Sequence, residues 1–260
     1  MAYKPYSIIT PPYDPTSGGI KVMWGLYGYL LAKGHVVNIN VSYNDPNFVG
    51  VYPEISHGNS ANAKTVVRYI LNKPGVMGSS DGRGNIIPGP TSFDKSDILF
   101  YFSRLYAPDD IDSNHIMFLP VINTSLFRDQ RRKRDKTCVF VGKGKNTFIH
   151  PSDAIPIDRT TASDQGKLAD LLNECHTMYG YDPVSAMNEV AHLCGVRVIL
   201  SQDVYSRKEW EKYEPGMNGI NWNKDEGIKL DTIEFREHYL QMIKIFEERL
   251  DYFIWETQKQ

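Results

Sequence analysis

The chain has 260 residues, of which 41% are hydrophobic and 23% are charged, and its formal net charge is -2 at pH 7. This length fits one large core or two domains of about 120 residues, and the charge excludes a global attraction to nucleic acid or to an anionic membrane. The three cysteines are widely spaced among apolar residues, so neither a disulfide framework nor a zinc site is expected. No secretory leader pattern and no run of about 18 apolar residues occurs, so we expect a cytoplasmic protein without integral membrane association.

The first 120 residues predict a sheet whose strands alternate with helices. Apolar runs predict strands at 7–10, 35–41, 49–52, 97–102 and 115–119, and helices are expected over 20–32 and 62–72. The opening order of strand, glycine-containing turn, helix and strand is typical of a doubly wound parallel sheet, in which ligands bind at the carboxyl ends of the strands. We therefore expect a Rossmann-like domain with a ligand at that edge.

Two groups of residues fall at this edge of the first domain. Gly18 and Gly19 follow the first strand, at the edge where a ligand is expected. Glu54, His57 and Asn59 follow the third strand. Histidine titrates near neutrality and can assist proton movement. Glu54 and His57 are therefore candidate catalytic residues and Asn59 is a candidate acceptor ligand, while a surface histidine without a role is the alternative for His57.

A run of basic residues follows, where the apolar pattern stops. Six of them lie within nine positions: Arg128, Arg131, Arg132, Lys133, Arg134 and Lys136. Such a run is typical of a solvated linker, so we place a linker at 126–136 between two domains. The alternative is a patch that faces an anionic acceptor, because clustered Arg and Lys bind phosphates in a salt-dependent way. In that case Arg131 and Arg132 are the candidate acceptor ligands.

The second domain is predicted to begin with a strand at 137–141 and a glycine-rich turn that carries two lysines. Lys143 and Lys145 on this turn are suited to a diphosphate, although the turn is too short for a Walker A loop. A short strand at Ile155, a helix over 163–174 and a strand at 177–179 follow. These elements predict a second sheet of the same kind.

The stretch 179–201, YGYDPVSAMNEVAHLCGVRVILS, predicts a helix with both ends marked, followed by a buried strand. Asp182 is the expected N-cap, Pro183 suits the first helical position and Gly195 suits a left-handed C-terminal cap, so the helix is predicted over 183–194. Glu189 lies less than two turns from a helix N-terminus that can hold phosphate. It is therefore placed to bond a ribose whose diphosphate rests on the helix end; the alternative is an ordinary capped helix with a solvated Glu189.

This stretch resembles the nucleotide-sugar signature of retaining GT-B glycosyltransferases of the family 4 type, which carry two glutamates eight positions apart. Glu189 matches the second glutamate, which in the family holds the donor ribose. The first falls on Tyr181, and Asp182 replaces it if the loop is shifted by one residue. Together with the two glycine-containing turns, the resemblance implies these donor ligands: Gly18, Gly19, Lys143, Lys145, Tyr181, Pro183, Val184, Ser185, Ala186 and Glu189.

A second stretch, 52–75, resembles bacterial and phage-type GT-B enzymes through Tyr-Pro-Glu, Gly-Asn and Leu-Asn-Lys-Pro-Gly in that order. The resemblance implies two Rossmann-like domains that face a cleft. They are expected at 1–125 and 137–232, on either side of the linker. A final helix at 233–260 is expected to cross back to the first domain.

The activity implied is transfer of a sugar from a nucleoside-diphosphate donor with retention, with Glu54, His57 and Asp182 as the catalytic set. Helix ends and basic side chains stabilise the departing diphosphate, so no metal is expected, and no cofactor apart from the donor itself. A saccharide is the expected acceptor. The alternatives are glycosylation of modified DNA bases and a catalytically inactive nucleotide-sugar binding protein. A dinucleotide oxidoreductase is disfavoured, because no G-x-G-x-x-G follows the first strand.

Overall fold

The computed structural model of the chain describes residues 3–80, 86–144, 149–200 and 205–259. The chain divides into two compact units. The first comprises Met1–Pro120 and Met242–Gln260, and the second comprises Val121–Gln241. The basic run predicted as a linker lies inside the second unit.

The first unit contains a parallel sheet of five strands. Its elements up to residue 120 are β1 (Tyr6–Ile8), α1 (Gly18–Ala32), β2 (Val37–Ile39), β3 (Val49–Pro53), β4 (Thr65–Ile70), β5 (Gly78–Ser80), β6 (Ile86–Pro88) and β7 (Ile98–Tyr101). The order across the sheet is β2-β1-β3-β4-β7, and β5 pairs with β6 in a separate antiparallel hairpin. This is the 2-1-3-4-5 order of one common doubly wound sheet, whose switch point lies between β1 and β3.

The second unit contains another parallel sheet of five strands. The remaining elements are β8 (Lys136–Phe140), β9 (Ile155–Pro156), α2 (Arg159–Ser163), α3 (Gln165–Glu174), β10 (Cys175–Gly180), α4 (Ala186–Leu193), β11 (Arg197–Leu200), α5 (Arg207–Trp210), β12 (Ile220–Asn221) and α6 (Thr232–Gln258). The order β12-β11-β10-β8-β9 repeats the 2-1-3-4-5 pattern, with the switch point between β8 and β10. The predicted α/β class with parallel, Rossmann-like sheets is confirmed.

Helix α6 belongs to both units. Its residues up to Gln241 lie in the second unit, where Phe235 and Tyr239 are buried. From Met242 onward it packs on one face of the first sheet, where the Phe253 ring stacks on Tyr6 with the centroids 6.0 Å apart. The same ring lies 4.9 Å from the Phe100 ring of β7. The end of the chain therefore completes the core that begins at β1.

The other face of the first sheet is covered by loops. A cluster of buried side chains, Phe48, Tyr52, Ala61 and Ala63, packs there with the half-buried Ile9, Tyr43 and Val66. Arg68 of β4 is also buried on this face, and its guanidinium lies over the Tyr52 ring at 4.9 Å. The loop between β3 and β4 thus takes the position that a crossover helix occupies in a regular doubly wound sheet.

Two predictions in this unit are wrong. The stretch 62–72 is not a helix, because Thr65–Ile70 forms β4 between β3 and β7. Its β-branched and aromatic residues are buried within the sheet except for the half-buried Val66, and a short apolar run of this kind fits a strand as well as a helix. The stretch 115–119 is not a strand, because Ser113–His115 forms a 3-10 turn and Ile116 makes an isolated bridge to Tyr101.

Candidate functional site

The switch point of the second sheet brings together the two loops that the sequence singles out. β8 and β10 are neighbours and parallel, so the turn after Phe140 and the turn after Gly180 leave the sheet at the same edge. The backbone N–H of Tyr181 donates to the Phe140 carbonyl at 2.9 Å. One step further out, the Lys143 N–H donates to Oδ2 of Asp182 at 3.2 Å. Residues predicted to contact the donor therefore lie side by side.

Two glycines allow this close contact. A Cβ on Gly142 would lie 2.8 Å from the Asp182 side chain, and the residue has a φ of 55°, which favours glycine. A Cβ on Gly144 would overlap the Tyr181 carbonyl. The turn can therefore approach 181–182 closely only because Gly142 and Gly144 have no side chains. The second lysine predicted here, Lys145, lies outside the described residues.

Tyr181 is buried, and its hydroxyl contacts the residues at which the described chain resumes after this turn. Its hydroxyl accepts a hydrogen bond from the Ile149 backbone N–H at 3.2 Å and lies 2.8 Å from Nδ1 of His150. The hydroxyl therefore has structural partners, which the sequence did not indicate.

The start of α4 differs from the prediction. The N-cap is Ser185, whose hydroxyl accepts from the Met187 N–H at 3.3 Å, and the helix begins at Ala186. Asp182 is not the cap, because its carboxylate meets the Lys143 N–H instead. The two residues that follow it, Pro183 and Val184, precede the helix and do not open it.

Asn188 in the first turn of α4 ties this segment back to the helix. Its buried side-chain amide donates to the Asp182 carbonyl at 3.1 Å and to the Pro183 carbonyl at 2.8 Å. Because both carbonyls precede the helix, these bonds set the path of the chain between β10 and α4. Sequence reasoning missed Asn188, since nothing in a local pattern marks which carbonyls an amide will reach.

The two carboxylates predicted in this region have different surroundings. Burial raises the pKa of Asp182 above its ordinary value, and nearby Lys143 opposes that shift. Glu189 is only 5% exposed, so it is not the solvated residue of the alternative reading. Its Oε1 accepts a hydrogen bond from the Tyr213 hydroxyl at 2.7 Å.

The segment 205–214 supplies two tyrosines to these carboxylates. Tyr213 bonds Glu189, as described, and burial raises the pKa of Tyr205 to about 12, with the charges of Glu209 and Asp182 adding to the effect. The Tyr205 hydroxyl is buried without a hydrogen-bond partner in the described part of the chain. Neither tyrosine was predicted as a site residue. The S-x-x-E pattern at Ser206–Glu209 forms the capping box of α5. In the sequence this pattern could have predicted a helix start in this segment.

The corresponding edge of the first sheet carries the other predicted residues. α1 begins at Gly18 with Ser17 as its N-cap, whose hydroxyl accepts from the Ile20 N–H at 3.4 Å. Glu54 is buried at the end of β3, and its Oε2 accepts from the Leu71 N–H at 2.9 Å. The Leu71 side chain lies 3.5 Å from the position of a Cβ on Gly19. Leu71 therefore contacts both Glu54, through its N–H, and the start of α1, through its side chain.

The remaining residues of the β3–β4 loop have structural partners. Nε2 of His57 lies 2.9 Å from the Pro88 carbonyl oxygen, although the histidine is exposed. The Asn59 side chain accepts from the Tyr52 hydroxyl at 2.7 Å and donates to the Ala63 carbonyl at 2.8 Å. Asn59 thus stabilises the loop, and the predicted contact with the acceptor substrate would be a second role.

The basic run is largely neutralised by acidic residues of the same unit. The ion pairs join Arg132 to Asp170, Lys133 to Asp135, Arg134 to Asp129 and Lys136 to Glu174. Arg131 has a left-handed φ of 54° and donates its N–H to Asp129 at 2.7 Å. Arg134 also donates to the carbonyls of Leu172, Cys175 and Cys194. The run is therefore held against the second unit by these ion pairs and hydrogen bonds.

Among the residues that the structure describes, no three His, Cys, Asp or Glu side chains are grouped so that they could hold a metal ion. Asp110 and Asp112 have Asp-x-Asp spacing, and Asp112 caps the turn Ser113–His115 by accepting from the Asn114 N–H at 2.9 Å.

No helix in the described ranges is long and apolar enough to span a bilayer. No protein-family model and no curated protein sequence matches this chain.

Proposed function

We propose that this chain is a retaining glycosyltransferase of the GT-B type, which moves a sugar from a nucleoside-diphosphate donor to a saccharide acceptor. The observation that supports it most is the contact between the turn of Lys143 and the turn of Asp182 at the switch point of the second sheet. Doubly wound sheets bind ligands at such points, with phosphates at the helix N-terminus that follows.

In this proposal the donor diphosphate lies between the lysine turn and the start of α4. Lys143 is exposed and neutralises the diphosphate, and Lys145 has the same role. The backbone N–H groups at Ser185 and Ala186 are the proposed partners of the phosphate oxygens, since the Val184 N–H already bonds the Asp182 carboxylate. These groups stabilise negative charge that grows as the diphosphate departs, which lowers the barrier to transfer.

The proposed reaction exchanges one bond at the anomeric carbon for another. The bond from this carbon to the diphosphate oxygen breaks, and the acceptor oxygen bonds the same face of the sugar. The acceptor proton passes to the departing diphosphate. Asp182 lies beside the transferred sugar, and Glu54 and His57 of the first unit contact the acceptor or the sugar.

A saccharide acceptor is favoured over modified DNA by the charges of the basic run. Four of its six cations form ion pairs within the second unit. Phosphate binding would have to compete with these pairs, so the run offers duplex DNA fewer unpaired cations than its sequence suggests.

Isothermal titration of the whole chain with UDP, GDP, ADP and CMP, and with the matching nucleosides, tests the proposal. We expect one diphosphate to bind at micromolar to millimolar concentration, and Lys143→Ala to weaken it by about tenfold without affecting the nucleoside. Lys167→Ala is the matched control, since this lysine is exposed on α3 of the same unit.

Turnover is measured with the sugar conjugate of the nucleotide that binds, by following release of the free diphosphate in the presence of oligosaccharides. Binding with transfer supports the enzyme, whereas binding without turnover of any conjugate supports the inactive binding protein. If no nucleotide binds at millimolar concentration, the glycosyltransferase proposal is overturned.

A further inference from the structure

The carboxylate of Glu189 is enclosed within the second unit. It is 5% exposed, and a buried carboxylate requires hydrogen bonds or opposite charges to offset its lost hydration. The Tyr213 hydroxyl supplies such a bond at 2.7 Å. Burial, together with the negative charge of Glu189, raises the pKa of Tyr239 well above its ordinary value. Glu189 therefore bonds one phenol, Tyr213, and acts on a second, Tyr239, through its charge.

Tyr213 is itself held firmly in place. Its N–H donates to the Trp210 carbonyl at 2.9 Å, and the two rings are 4.7 Å apart. Trp210 ends α5, which the capping box of Ser206 and Glu209 starts. Because each step is a short-range contact, the hydroxyl reaches Glu189 in a fixed direction, which is the kind of support that a precise binding group needs.

We propose that Tyr213 is a positioning residue, whose hydroxyl orients the Glu189 carboxylate toward the ribose hydroxyl groups of a bound nucleotide. This inference rests on the proposed function, in which Glu189 is the ribose ligand. A carboxylate offers about four acceptor positions, so the bond from Tyr213 is compatible with acceptance from a ligand. Without that bond the carboxylate rotates more freely, and ribose loses its advantage over a sugar that lacks hydroxyl groups.

The test compares the nucleoside diphosphate that binds best with its 2′,3′-dideoxy analogue, by isothermal titration. Wild type, Tyr213→Phe and Glu189→Gln are measured together with Tyr6→Phe. The last variant is the matched control, because the Tyr6 hydroxyl makes a buried bond of 2.8 Å to Thr257 in the first unit. The readout is the ratio of the two dissociation constants, since a general loss of stability lowers both affinities alike.

We expect the wild type and Tyr6→Phe to prefer ribose by at least about tenfold, which is the usual size of a hydrogen bond to a charged group. In Glu189→Gln and Tyr213→Phe the preference should fall below about threefold. If Tyr213→Phe does not fold, Tyr213→His, which keeps a ring and an N–H donor, replaces it and should retain part of the preference.

The outcomes separate this inference from the function that it deepens. Loss of preference in Glu189→Gln but not in Tyr213→Phe overturns the positioning role and leaves the ribose site standing. A wild type that binds ribose and dideoxyribose equally overturns the inference but not nucleotide binding. A wild type that binds no nucleotide overturns both.

Discussion

Lys143 and Asp182 lie 39 positions apart in the chain, and a hydrogen bond of 3.2 Å from the Lys143 N–H to the Asp182 carboxylate joins them. One residue follows β8 and the other follows β10, so the bond closes the edge of the sheet where its strand order reverses. A change in either turn therefore reaches the other directly.

Gly144→Ala should disrupt the turn that faces Tyr181. Its Cβ would overlap the Tyr181 carbonyl, which is backbone and cannot rotate away. We expect the free energy of unfolding in urea to fall by about 1–3 kcal/mol, and any nucleotide affinity to fall with it. Gly166→Ala is the control on the exposed surface of α3, where the gain in helix propensity should add about 0.5–1 kcal/mol. Wild-type stability in Gly144→Ala would contradict the packing described here.

Arg134→Ala should be far more damaging than Arg132→Ala, although both residues belong to the basic run. Arg134 donates to three carbonyls and to Asp129, and its side chain is 18% exposed. Its loss should lower the free energy of unfolding by about 2–4 kcal/mol. Arg132 pairs with Asp170 at the surface, and its loss should change it by less than about 1 kcal/mol. Equal effects of the two variants in urea unfolding would argue for a solvated linker.

Arg68→Met should strongly destabilise the first unit. Arg68 and Asp97 form an ion pair of 2.7 Å with both side chains 5% exposed, so the variant leaves a buried carboxylate without its counter-charge. The expected loss is about 3–5 kcal/mol. The double variant Arg68→Met with Asp97→Leu should recover more than about 1 kcal/mol of it. A double variant less stable than the single one would show that the unpaired charge of Asp97 is not the cause of the lost stability.

Loss of the Arg68 side chain, in the single or the double variant, should also loosen the loop that carries Glu54 and His57. The Arg68 guanidinium also donates to the Ser56 carbonyl at 3.1 Å and to the Gly58 carbonyl at 2.8 Å. Amide hydrogen exchange over this loop should therefore speed up in the double variant, even where stability has recovered, because neither replacement restores the two carbonyl bonds.

His192 should make stability depend on pH below neutrality. Burial lowers the pKa of His192 to about 3, so the folded chain holds the imidazole neutral while the unfolded chain protonates it near its ordinary value of 6.5. The associated stability is fully present above about pH 6.5 and is lost as the pH falls toward 3, by about 1.4 kcal/mol per unit.

This pH dependence is measured by urea unfolding at pH 7 and pH 5 for the wild type and for His192→Leu. The difference between the two pH values should be about 2 kcal/mol larger in the wild type. The comparison removes the contribution of other titrating groups, which both proteins share. An unchanged difference would mean that His192 is protonated or solvated in the folded chain.

The parallel sheets could be predicted from apolar runs, but not every apolar run could be assigned correctly to a strand or a helix. Thr65–Ile70 is a short, mainly apolar stretch with one charged residue, and its periodicity alone does not separate a helix from a strand. The burial of Arg68 on Asp97 was not visible either, because its partner comes from the segment that leads into β7. Length and β-branched content favour the strand, whereas Pro74 and Gly75 after it are also typical of a helix end.

The candidate site shows the same limit. Both Asp182 and Ser185 are good N-caps, and local preference cannot choose between them. The choice is made by the Lys143 backbone, which comes from another strand and binds Asp182. Glu189 could be singled out by its spacing from the helix start, whereas Tyr213 could not, because it meets Glu189 from 24 positions away in the chain.

The shared helix α6 has a consequence for synthesis on the ribosome. The first sheet has all its strands once residue 101 has emerged, yet Phe253, which covers Tyr6 and Phe100, follows only after the whole second unit has been made. At ordinary elongation rates the intervening 121–241 take roughly ten seconds. During that interval Tyr6 and Phe100 lack the contact with the Phe253 ring, so the first core is completed only after the second unit has been synthesised.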